Sequence, residues 1–243
     1  MINKISNRFY IKEQALLIFS TLLFLYTEAQ DASYTRPPVT NRWDEYQKQV
    51  KKDSTKKMVE LKSLIPGIAY DLRYASRNNF MKRQMYPPNT NLTYLRLPAA
   101  NALLKVQKEL NETGYGLKIF DAYRPYSVTV KFWELVKDER YVANPAKGSG
   151  HNRGISVDLT IINSSTGKEL DMGTGFDNFT DSAHQSYTGL PEEVLQNRLL
   201  LKSLMCKYGF KALDTEWWHY FIPESSKYEI LDIDFKKLEK YLR

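Results

Sequence analysis

The sequence predicts a mixed α+β fold, a single domain in which a small, mostly antiparallel sheet carries the functional site and helices flank it. Three observations point there. Two helix-length segments with clear stops, Leu97 to Asn111 and Glu192 to Tyr208, alternate with short β-branched or aromatic runs such as Ile155 to Ile162 and Glu216 to Ile222. Hairpin-like turn signals separate the runs, which fits this class better than a doubly wound parallel sheet. A chain of 243 residues, 42% hydrophobic and 13% aromatic, is long enough for one sizeable core.

Taken in order, the chain begins with Lys4, Arg8 and Lys12 ahead of the apolar run Ala15 to Leu25, which is short for a bilayer span but suits a secretory signal. Residues 1–30 are therefore predicted to be a signal peptide, cut after Ala29 or Gln30, with an uncleaved anchor as the alternative. The expected location is exported, periplasmic or extracellular, with no stable membrane span after cleavage. Residues 31–57 read as a linker or N-terminal extension: Arg36-Pro37-Pro38 breaks regular structure, and the lysine- and glutamine-rich stretch Trp43 to Lys57 reads as a poorly packed helix. The folded domain is expected over 58–243.

Within it, Val59 to Tyr74 holds two strand-like pieces around the turn Ile65-Pro66-Gly67. The helix Leu97 to Asn111 has Pro98 in its first turn and Gly114 just past its end. Leu117 to Tyr123 reads as a buried strand that delivers Arg124, and Pro125 opens a helix continuing through Val136. Pro191 and Gly209 bound the helix Glu192 to Tyr208, and Ile230 to Leu242 reads as an amphipathic terminal helix. Cys206 is the only cysteine, so it forms no internal disulfide, and its place in an apolar helix predicts a buried structural thiol. The net charge of +7 is spread over the chain without an arginine-rich block or a nucleic-acid motif, so it reads as a basic, soluble surface.

Chemistry concentrates in two stretches, Ser149 to Asp158 and Glu216-Trp217-Trp218-His219. A catalytic zinc takes three protein ligands and keeps a position for water. His151, in a glycine-flanked turn, Asp158, in the strand that follows, and His219 supply such a set. His184 is a competitor, since a three-histidine site would leave Asp158 as a supporting partner. Glu216 stands three residues before His219 in a strand-like run, where alternation would send the two to opposite faces. The reading expects Glu216 just before the strand, or a bulge there.

Ser149-x-His151-x-x-Gly154-x-x-x-Asp158 followed by Glu216-x-Trp218-His219 resembles the zinc D-alanyl-D-alanine peptidases. Tyr70-Asp71-Leu72-Arg73-Tyr74-Ala75-Ser76 with Asn78-Asn79-Phe80, Tyr115-Gly116-Leu117, Asp121-Ala122-Tyr123-Arg124-Pro125, and Met172-Gly173 with Phe176-Asp177 resemble their VanX-type dipeptidase branch, in the same order. The resemblance runs from about Leu61 to about Ile222. It implies one Zn2+ held by His151, Asp158 and His219, which leaves His184 as an outer-cleft residue or a supporting partner of the site. Glu216 would be the general base and Arg124 the partner of the oxyanion, a structural salt bridge being the other use of that arginine. It further implies Tyr74, Ser149 and Asp177 as contacts of the dipeptide D-alanyl-D-alanine, with Asp177 facing the ammonium. A carboxypeptidase or endopeptidase acting on peptidoglycan stem peptides, and a zinc-bearing module without turnover, are the rival expectations. Gly150 stands where a second serine would be unsurprising and is expected to loosen its turn. Sequons at Asn91, Asn111, Asn163 and Asn178 matter only in a host that glycosylates exported proteins.

Overall fold

Described residues run from 34 to 242 in this computed structural model, so the predicted signal over 1–30 lies outside them. The first half contains β1 (Val39–Thr40), α1 (Trp43–Lys52), β2 (Met58–Glu60), α2 (Leu61–Leu64), β3 (Ala69–Tyr70), β4 (Tyr94–Arg96) and α3 (Leu97–Asn111). The second half contains β5 (Tyr115–Asp121), α4 (Tyr126–Val136), α5 (Gly150–Arg153), β6 (Ser156–Asn163), α6 (Glu192–Lys207), β7 (Lys211–Leu213), β8 (Glu216–Phe221), β9 (Ile230–Leu231) and α7 (Phe235–Leu242).

The main sheet has the order β3-β5-β6-β8-β7, antiparallel throughout except for the β3-β5 pair. Two small pairs, parallel β1-β9 and antiparallel β2-β4, stand apart from it. The class is the predicted α+β.

Each long element follows from its local chemistry. Proline in the first turn of α3 fills a position whose amide needs no helical partner, and Leu103, Val106 and Leu110 recur on its buried stripe. That stripe and Leu201, Leu204 and Met205 of α6 belong to one core with Leu117 and Ile119 of β5 and Val157, Leu159 and Ile161 of β6. A second cluster gathers Tyr46, Met58, Tyr74, Tyr94, Tyr123, Phe132, Phe235 and Leu238.

Three sequence expectations are corrected. Residues 37–57 are no linker, because the folded unit begins at Pro37. In α1, Trp43, Tyr46 and Val50 form an apolar stripe beneath the lysines and glutamines. Tyr46 is buried, its hydroxyl accepts the Met58 amide at 2.7 Å, and Trp43 stacks on Tyr241 at 4.7 Å. The terminal helix starts at Phe235 rather than Ile230, since Ile230 and Leu231 pair with Val39 and Thr40. Cys206 is exposed. The apolar run of α6 winds round the helix and its inner side is taken by Val194, Leu201, Leu204 and Met205, with Leu199 and Cys206 outward.

Candidate metal centre

Strand register assembles most of the site. Asp121 of β5 is paired with Asp158 of β6, and Asp158 is paired with His219 of β8, so three polar side chains stand in one row across the sheet. His151 arrives from α5, a single turn capped reciprocally by Ser149 and Asn152. Gly150 does not loosen that turn. A Cβ there would lie 1.9 Å from Ser156 Oγ, so only glycine lets the turn sit against the start of β6. Gly154, at φ 70°, then swings the chain into the strand.

His151 Nδ1 lies 2.7 Å from the Ala122 carbonyl oxygen. A carbonyl only accepts, so Nδ1 carries the proton and Nε2 is left as a ligand, 3.4 Å from Asp158 Oδ2. His219 Nδ1 is 2.8 Å from Asp158 Oδ1, and one ligand atom from each of His151, Asp158 and His219 lies within 4.8 Å of the others. Burial drives both imidazoles below their ordinary pKa, with Arg124 reinforcing the shift, and the neutral ring is the form that ligates a metal. Burial, then the nearby Asp121, drives the Asp158 carboxyl well above the usual range. Two buried carboxylates thus face one buried guanidinium, a shortage of positive charge that a divalent cation corrects. Two imidazoles and a carboxylate suit zinc.

Glu216 lies inside β8 rather than before it, and the register against β7 shifts between Ala212 and Leu213. This irregularity takes up residues 217–219 and leaves Glu216 on the side of His219, with Oε2 4.0 Å from Nδ1. Burial raises the Glu216 pKa. Trp217 donates its indole N–H to Thr174 Oγ1 at 2.8 Å, while Trp218 both packs the core and lines the cleft.

Arg124 makes the salt bridge that was one of its sequence readings and also lines the cleft. Its Nε and Nη2 donate to Asp121 Oδ2 at 3.0 and 2.7 Å, and its guanidinium still forms part of the cleft wall. The rings of Phe132 and Tyr74 lie 4.8 and 5.1 Å from it. Sequence reasoning assigned no role to Asp121, whose other oxygen accepts the Tyr86 hydroxyl. The available signal was its place three residues before Arg124 in Asp121-Ala122-Tyr123-Arg124.

Every other predicted site residue lines the same cleft, a cavity of about 260 Å³ that includes Tyr74, Ser149 and Asp177. Tyr74 donates to both Asp177 oxygens, at 3.1 and 3.2 Å. Burial, then the charge of Asp158, pushes the Asp177 carboxyl well above its ordinary pKa. His184 takes no part: its ring is part-exposed, 4.0 Å from Asp181, and its carbonyl accepts Arg198.

The D-ala-D-ala dipeptidase family model Peptidase_M15 matches residues 54–238. A D-alanyl-D-alanine dipeptidase of Escherichia coli (strain K12) is 34% identical over 181 residues, covering 74% of this chain and 92% of that one. Its counterpart in Enterococcus faecium is 30% identical over 182 residues, covering 68% and 90%. Among solved structures, a vancomycin-resistance D,D-pentapeptidase VanY mutant in complex with Zn(II) is matched at a TM-score of 0.37 and 15% identity over 56% of this chain and 77% of that chain. That likeness is too loose to add to the sequence matches.

Proposed function

The chain belongs to the D-ala-D-ala dipeptidase family, and from that premise we propose that it is a zinc metallopeptidase that hydrolyses D-alanyl-D-alanine to two D-alanines. The observation that carries this reading is the convergence, in one cleft of about 260 Å³, of the ligand set, a carboxylate beside it and a fixed guanidinium.

When bound, zinc supplies Lewis acidity that activates a water and polarises the scissile carbonyl. Glu216 takes a proton from the attacking water and delivers one to the leaving nitrogen as the C–N bond breaks. Arg124 donates to the carbonyl oxygen as that oxygen gains charge. Asp121 holds two of the guanidinium nitrogens in place, so the arginine is fixed before the reaction begins. Asp177, steadied by the Tyr74 hydroxyl, receives the substrate ammonium. Ser149 Oγ accepts the Asn152 amide, which leaves its own O–H to donate to the substrate carboxylate.

Release of D-alanine from D-alanyl-D-alanine, and from a pentapeptide ending in the same two residues, tests the reading with and without chelator. Chelator-sensitive cleavage of the dipeptide alone is expected, and Glu216→Gln lowers kcat by about 10²–10⁴ while the protein keeps its zinc. Preference for the pentapeptide would make the enzyme a carboxypeptidase. Export is part of the proposal, supported by the basic, apolar and small-residue pattern of 1–30. Among the described residues no helix is long and apolar enough to cross a membrane. Amino-terminal sequencing of the protein from intact cells is expected to begin after Ala29 or Gln30, and recovery with Met1 in the soluble interior would rule export out.

A further inference from the structure

The cleft that holds the metal ligands is also lined by a cluster of aromatic rings. Phe179 is central, with its ring centroid 5.1 Å from Phe80 and 5.0 Å from Tyr141, both edge-on. The same three side chains also line a second cavity of about 440 Å³ on the outer side, whose remaining walls include Leu135 and Val136. One thickness of aromatic ring therefore separates a small polar cleft from a larger apolar space.

The layer stands at a definite end of the cleft. Phe179 follows Asp177 by two residues, and Phe80 is 6.0 Å from Phe132, whose ring is 4.9 Å from Tyr74, the hydrogen-bond partner of Asp177. On the dipeptidase reading the substrate ammonium meets Asp177, so the N-terminal residue sits at the end of the cleft that these rings line. We propose that Phe80, Tyr141 and Phe179 form a size filter for the N-terminal side chain of the substrate, admitting a methyl group and excluding bulky side chains from the apolar space behind. This rests on the dipeptidase reading and adds to it the element that sets the substrate class. Edge-on rings packed on one another resist a larger group, and excess or missing volume in such a pocket changes kcat/KM by about 10–200-fold per methylene.

Phe179→Ala removes the central ring and joins the two cavities. The experiment compares kcat/KM of the zinc-loaded wild type and variant on D-Ala-D-Ala, D-Phe-D-Ala and D-Ala-D-Phe, with thermal melts to verify folding. The ratio for D-Phe-D-Ala over D-Ala-D-Ala is expected to rise at least about tenfold, with the ratio for D-Ala-D-Phe unchanged. Tyr141→Ala, at a side chain already 38% exposed, gives a smaller rise in the same direction and decides the matter if Phe179→Ala does not fold. Ratios that stay still, or that rise together for both bulky dipeptides, would overturn the filter and leave the dipeptidase reading standing. So would a wild type that already cleaves D-Phe-D-Ala as well as D-Ala-D-Ala. Failure of the wild type on all three dipeptides would overturn the functional reading, and the filter with it.

Discussion

Along β6, one face carries Val157, Leu159 and Ile161 and the other Ser156, Asp158 and Thr160, and all six residues are at most 3% exposed. Equal burial has opposite meanings on the two faces. The apolar side chains gain from leaving water and meet α3 and α6, so their depth accounts for itself. Asp158 loses hydration at a cost no hydrocarbon neighbour repays, and its imidazole neighbours, one on either side, tolerate that cost only with a cation between them. One face therefore holds the fold together, while the other is a stressed arrangement kept for chemistry.

The largest test of this contrast is Asp158→Asn. An amide keeps the shape and removes the buried charge, so dipeptide hydrolysis and zinc uptake are expected to be lost. The metal-free protein should melt no lower than metal-free wild type, because an uncompensated charge has gone. A metal-free variant clearly less stable than its parent would mean that Asp158 serves the fold. On the opposite face, Leu159→Ala is expected to cost about 2–5 kcal/mol in denaturant unfolding. Its zinc content per folded molecule should stay at the wild-type level, and loss of zinc in protein that remains folded would show that the two faces are not separable. The smallest effect belongs to the outward side of α6, where Cys206→Ser should change stability by less than about 0.5 kcal/mol. In the native wild type, Cys206 should react with a water-soluble thiol reagent at the rate of an exposed thiol, and protection until unfolding would contradict its placement.

Elements whose evidence is local were legible in the sequence. The helix Leu97–Asn111 was placed to the residue, because proline at its start, leucines at helical spacing and glycine after its end all act within a few residues. The candidate ligand set was legible because His151, Asp158 and His219, like Glu216 beside them, sit in short motifs whose spacing is itself chemical. Where a residue's role depends on a distant neighbour, the reading failed or stayed silent. The lysines of α1 concealed a stripe whose partners are at Met58 and Tyr241. Gly150 looked like slack until Ser156 was found against it. Asp121 is a different case: its partner Arg124 is only three residues on, and the reading still gave it no role, because only the fold shows the two side chains turned to one another.

The sequence by itself determined the helices and strands whose signals are local, and which side chains can ligate a metal or move a proton. Backbone preference and side-chain chemistry are local properties, complete within a few residues. Only the tertiary structure decided that Asp121, Asp158 and His219 share one row, that the Ala122 carbonyl fixes the His151 tautomer, and that rings from Phe80, Tyr141 and Phe179 divide two cavities. Register and packing bring together residues far apart along the chain, and such contacts gain their free energy only when the whole core closes, so no short stretch of sequence contains them.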